Sequence, residues 1–139
     1  MATVPLLSDE AAPPEALAVF DDIRARRQTD YVNNFWRALA ADPVLLQATW
    51  ERLQTVMAPG ALDPLVKEMI YIAVSVTNGC GYCVHSHTAA ARAKGMTDAQ
   101  HGELLAVIAM ASQTNALATA AVGLVLAVVV HGGHWQDHD

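Results

Sequence analysis

A chain of 139 residues is long enough to bury a real core and short enough to be one domain, so residues 1–139 are expected to fold as a single unit. Hydrophobic residues make up 53% and charged residues only 16%, a surplus of apolar surface that predicts burial between subunits of a homo-oligomer. Lys plus Arg number 8 against 14 Asp plus Glu, and a net charge of -6 without any basic stripe excludes nucleic acid as a partner.

The opening MATVPLLSDEAAPPEA has no positive segment followed by an apolar run, so no secretory signal is read there and the expected location is the cytoplasm. Thiols are kept reduced in that compartment, and a lone structural disulfide is unusual. Pro13-Pro14 opens a first helix, with Leu17, Phe20 and Ile23 on its apolar face and an end near Arg27. Residues 31–40 read as a short second helix. Asp42 before Pro43 is an N-cap followed by Pro at the first helical position, and Gly60 marks the exit of that third helix. Leu46, Trp50, Leu53 and Met57 recur along one of its faces. Asp63-Pro64 repeats the start signal for a helix running to about Thr77, and Asn78-Gly79 follows as a turn. The next helix begins near Cys80 and stops at Lys94-Gly95, a left-handed cap.

Thr97 with Gln100 forms a capping box for the helix after that. The apolar stretch from Leu104 to Val130 is interrupted by Ser112, Gln113, Thr114 and Asn115. The last helix, about Ala116 to Val130, falls short of the roughly 20 residues that span a bilayer. A helix buried in the core or at a subunit contact is expected there, and no membrane. The fold class is therefore all-α, with about six helices, a core at about 15–130 and a short polar tail at 131–139.

Both cysteines and two of the six histidines lie in NGCGYCVHSH, residues 78–87. A CxxC in a cytoplasmic protein suggests redox work, but no βαβ unit is present, so the pair must act on a helical scaffold. Cys80 lies at a helix start and Cys83 in its first turn, where unpaired N–H groups and the helix dipole favour thiolate. His87 stands four residues beyond Cys83, on the same face, and can take up a thiol proton. That spacing nominates Cys83 as the attacking thiol and Cys80 as the resolving one. The helix start alone favours Cys80. His85 points elsewhere and is a secondary candidate. Glu68, in the apolar setting MIYIAVSV, shares a face with Ile72 and with Ser75 or Val76. A relay carboxylate aimed at the dithiol and a solvated Glu beside Lys67 both fit its spacing.

Glu68, eleven intervening residues, Cys80-Gly-Tyr-Cys83, three more and His87 together resemble the signature of the alkyl hydroperoxidase D (AhpD) family, in the carboxymuconolactone decarboxylase superfamily. The likeness is close over residues 67–87, and the helix layout from about 15 to 130 is compatible with it. The resemblance implies an AhpD-like all-α bundle assembled as a homo-trimer or homo-hexamer. It also implies a peroxidase that reduces a hydroperoxide substrate with its dithiol and binds no cofactor. An external dithiol reductant, a dihydrolipoyl or thioredoxin-like partner protein, would restore the thiols. Carried over, Cys83 is the peroxidatic thiol, Cys80 the resolving thiol, and His87 and Glu68 the proton relay. One departure is Tyr82, a secondary candidate, which stands between the cysteines where peroxidatic members can carry a His.

Two enzymatic or redox rivals share these residues. Decarboxylation of a muconolactone, the superfamily's namesake activity, does not depend on a CxxC pair. A redox adaptor passing electrons to a separate peroxidase would use the same dithiol. Zinc held by Cys80, Cys83 and His87 lacks a second ligand pair at the usual spacing, so no metal site is expected. His131, His134 and His138 in the tail read as a frayed polar terminus, and Trp36, Trp50 and Trp135 as packing residues.

Overall fold

The computed structural model describes residues 2–122, which form six α-helices and, among the described residues, no strand. They fall into two compact units, one ending at Pro64 and the other starting at Leu65. The tail histidines and Trp135 lie outside the described residues.

The first unit holds α1 (Pro14–Arg27), α2 (Asn34–Leu39) and α3 (Pro43–Met57), with α3 packed on both of the others. Pro14 at the first helical position, Glu15 in the first turn and three arginines in the last turn suit α1 to the helix dipole. Its buried face is Ala16, Val19, Phe20 and Ile23, while Leu17 is only half-buried on the flank. The expected face was therefore turned by part of a turn, because 16, 19, 20 and 23 follow the i, i+3, i+4, i+7 rule more closely. The second helix is shorter than residues 31–40 suggest, since Asn33 is extended and helical geometry begins only at Asn34.

α3 starts as read from the sequence, with Asp42 accepting the Leu45 backbone N–H at 3.1 Å. Its end differs from the expected Gly60. Pro59 disfavours helical geometry at the residue before it, and Ala58 is accordingly extended at φ -59°, ψ 152°. Leu46 and Trp50 of α3 join the core, with Leu53 partly buried against it. The Trp36 and Trp50 rings meet edge-to-face at 5.2 Å, and the Trp50 indole N–H donates to Asp22.

The second unit holds α4 (Pro64–Thr77), α5 (Gly81–Ala93) and α6 (Asp98–Val122). Its buried apolar cluster is Ile72, Ala91, Met96, Leu104 and Ile108, with Leu65, Met69 and Ala73 packed against it. Gly95 follows α5 at φ 92°, and Thr97 and Gln100 exchange the two hydrogen bonds of a capping box before α6.

α6 corrects the expected break at Ser112–Asn115. The helix runs unbroken to Val122, and the expected separate helix from Ala116 is, as far as residue 122, its continuation. Polar residues do not end a helix when neither Gly nor Pro stands among them, and Thr114 returns its hydroxyl to the carbonyls of Met110 and Ala111. By length and composition alone α6 is the one described helix able to cross a membrane. Ser112, Gln113, Thr114 and Asn115 lie near its middle, where hydrocarbon tolerates polar groups least. Of the apolar stretch from Leu104, Leu104 and Ile108 are buried, whereas Leu105, Val107, Met110 and Leu117 are exposed in the single chain.

Ile72 is fully buried one turn after Glu68 on the same face of α4. Ile72→Ala should lower the stability of the protein by about 2–5 kcal/mol, read as a fall in the denaturant midpoint. A loss below about 1 kcal/mol would contradict the packing described, since large-to-small changes at a filled site cost more.

Candidate active site

A tight turn joins α4 to α5. Gly79 sits at φ 68°, a left-handed angle that glycine adopts without a Cβ clash, and no neighbouring atom crowds it. The backbone angle, not space, calls for glycine there. The turn lets the Cys80 N–H donate to the Ser75 carbonyl at 2.9 Å, and it delivers Cys80 to the N-cap of α5. There the Cys80 Sγ accepts the Cys83 backbone N–H at 3.3 Å, a role usually taken by Ser, Thr, Asp or Asn.

Cys80 and Cys83 are joined as a disulfide, their Cα atoms 5.3 Å apart, a normal span for such a bridge. The structure is thus that of the oxidised dithiol. Both cysteines are partly buried.

Glu68 of α4 is turned inward and is 5% exposed. The solvated arrangement beside Lys67 is not the one adopted. His87 Nδ1 donates to Glu68 Oε2 at 2.7 Å, and the Lys94 ammonium donates to Oε1 at 2.8 Å. Ser75, also buried, shares that face, whereas Val76 is exposed. Burial pushes the Glu68 carboxyl up, but the bonds from His87 and Lys94 and the Lys94 charge outweigh it and hold the group below its ordinary value. The carboxylate therefore stays ionised at neutral pH despite its burial.

The Tyr71 ring stacks on the His87 imidazole with centroids 3.5 Å apart and planes 17° from parallel, which fixes the imidazole's tilt. With Nδ1–H committed to Glu68, Nε2 is the nitrogen left to accept a proton. Tyr82 is exposed between the two cysteines, and His85 is exposed on α5. The structure thus brings Glu68 and His87 into contact, with the disulfide at the start of the helix that carries His87, and leaves Tyr82 and His85 at the surface.

Sequence reasoning missed Lys94 and Tyr71. A signal for Lys94 was present: Cys83, His87 and Lys94 step by four and seven along α5, which puts all three on one face. Among the described residues no group of three or more His, Cys, Asp or Glu is arranged to hold a metal ion.

The family model described as "Carboxymuconolactone decarboxylase family" matches residues 43–127. The alkyl hydroperoxide reductase AhpD of Solibacter usitatus (strain Ellin6076) is 40% identical over 67 residues, 48% of this chain and 36% of that protein. The protein of the same name from Azorhizobium caulinodans is 31% identical over 121 residues, 84% of this chain and 67% of its own length. The chain therefore spans about a third of the first relative and two thirds of the second. A crystal structure of the alkylhydroperoxidase AhpD core from Rhodospirillum rubrum superposes with a TM-score of 0.82 at 66% identity, covering 86% of this chain and 90% of that one.

The low-lying Glu68 carboxyl ties stability to pH in a defined direction. Its contribution is fully present above the unfolded carboxyl value of about 4.3 and is lost as pH falls through the lower folded value. Glu68→Gln should therefore flatten the fall in thermal midpoint below about pH 4.3, measured by calorimetry down to about pH 3. Asp9 and Asp22, also held low, keep their own share in the variant. Identical acid slopes for both proteins would show that Glu68 carries no such linkage.

Proposed function

The chain belongs to the carboxymuconolactone decarboxylase family, and from that membership and the geometry around Cys80 and Cys83 we propose that it is a thiol-dependent peroxidase of the AhpD type. The observation that carries this reading is the Cys80–Cys83 disulfide at the head of α5, one helical turn before His87, which is paired with the buried Glu68. A decarboxylase has no use for an intact dithiol, and the relatives named AhpD favour peroxide chemistry.

In the reduced protein, His87 accepts the Cys83 thiol proton at Nε2 while Glu68 holds Nδ1–H and balances the charge. The Cys83 thiolate attacks the terminal oxygen of a hydroperoxide. An S–O bond forms, the O–O bond breaks, and the alkoxide leaves as alcohol with the proton held by His87. Cys83 is now a sulfenic acid. The Cys80 thiol attacks that sulfur, water leaves, and the disulfide results. An external dithiol, dihydrolipoyl or thioredoxin-like, then restores both thiols by exchange and is itself oxidised to a disulfide. No bound cofactor enters this cycle, and a cytoplasmic setting suits it.

The same reading includes a homo-oligomer, trimer or hexamer. Val66, Ile70 and Val74 of α4 repeat at helical spacing on an exposed face, and α6 leaves Val107, Met110 and Leu117 uncovered. Sedimentation at micromolar concentration should find an assembly of three or six chains; a folded monomer there would refute this part.

Stopped-flow peroxide consumption tests the chemistry. Cys83→Ser should abolish it. Cys80→Ser should allow one turnover and leave a sulfenic acid that dimedone traps. His87→Ala should slow the reaction by about 10²–10⁴-fold, the usual share of a positioned base. A wild-type protein that ignores peroxide yet is rapidly oxidised by a protein disulfide would instead identify a redox adaptor. Loss of all activity in Cys80→Ser, with Cys83→Ser still turning over once, would reverse the roles of the two thiols.

A further inference from the structure

The relay as described leaves one group at the buried carboxylate without a task. Lys94 is the C-cap residue of α5, seven residues after His87, so two turns of helix bring both side chains to one face. Its Nζ lies 2.8 Å from Glu68 Oε1, while His87 Nδ1 lies 2.7 Å from Oε2. Each oxygen of a single carboxylate is thus taken by a different residue of the same helix. The Glu68 side chain is 6% exposed and that of Lys94 38%, so the cation reaches inward from the surface to a charge that water barely touches.

We propose that Lys94 is a positioning residue for the dithiol chemistry, whose ammonium holds Glu68 ionised and oriented so that His87 keeps its proton on Nδ1 and its Nε2 open. This rests on the peroxidase reading for its purpose, though not for its geometry. A buried carboxylate paired with an imidazole alone has two ways to balance its charge. It can draw a second proton onto the imidazole, which then carries N–H on both nitrogens. Or it can take the proton itself and donate to Nδ1, which leaves the imidazole proton on Nε2. In both cases Nε2 cannot accept from a thiol. A fixed cation on the other oxygen removes the need for either. Lys94 balances the charge of Glu68, so that Nδ1 keeps its proton for the carboxylate and Nε2 is left open.

Among the described residues, the contacts to Glu68 and His87 from titratable side chains are those of Lys94 on α5 and of Tyr71 on α4, whose ring stacks on His87, and Cys83 stands one turn before His87 on α5. Lys94 is the cation among them. Ala91, between them in sequence, is fully buried in the apolar cluster that also holds Ile72.

The test uses the full chain, reduced, and follows two rates against pH: alkylation by iodoacetamide and consumption of hydrogen peroxide. Taking one positive charge from the cluster makes its first proton harder to lose, whichever group releases it. In Lys94→Met the acid limb of both profiles should move up by about one pH unit, roughly a tenfold loss of rate on that limb, with the alkaline plateau kept within a few-fold. Lys94→Arg, which restores a cation, should return the limb to its wild-type place. A limb unmoved in Lys94→Met, with helical circular dichroism intact, would overturn the proposal. Should that variant not fold, Lys94→Gln keeps a donor to Oε1 without the charge, and an unmoved limb there overturns it equally. A wild-type protein that consumes no peroxide would defeat the peroxidase reading while the alkylation profile still judges Lys94.

Discussion

A single buried carboxylate organises the second unit of this protein. Placing Glu68 out of water is unfavourable unless both oxygens find partners, and an unpaired charge at 5% exposure would not be tolerated. The two partners come from one face of α5, at either end of a seven-residue step. Around it stand a tight turn at Gly79 between α4 and α5, a fully buried Ala91 and a helix end at Lys94. The disulfide lies at the other end of the same helix.

The apolar support for this arrangement is small. Among the described residues, five buried hydrophobic residues and three partly buried ones make up the cluster of the second unit, to which α6, 25 residues long, contributes Leu104 and Ile108. Through residue 121 its other apolar side chains face outward in the isolated chain. Exposed apolar faces of this kind mark places where proteins pack against partners.

Much of this is legible in the sequence. Helix starts were legible wherever the backbone demands a particular residue: Asp42-Pro43, Asp63-Pro64, and Thr97 with Gln100 all stand where α3, α4 and α6 begin. The meeting of Glu68 with His87 is found in the structure, and the four-residue step from Cys83 to His87 is one turn of α5. Two features were not legible, and a third, Lys94, left only its place on the Cys83–His87 face as a signal. α6 passes through Ser112–Asn115 because polar character breaks a hydropathy pattern without breaking a helix. α3 stops early because Pro59 acts on the residue before it, while Gly60 draws the eye. Lys94 escaped notice because its partner is 26 residues away, and a lysine beside a terminal glycine looks like any cation at a helix end.

The sulfur at the head of α5 has one more consequence. Cys80 is at once half of the disulfide and the acceptor that closes the first turn of its own helix. Position 80 therefore has a structural duty that serine, a better acceptor than sulfur, discharges without the chemistry, and that alanine leaves undone. Serine at this position separates the two duties cleanly. Alanine confounds them, since a frayed helix would shift Cys83 and His87 together and mimic the loss of a thiol. For a protein whose reactive group is also a piece of its scaffold, the choice of replacement decides whether a silent variant speaks of electrons or of folding.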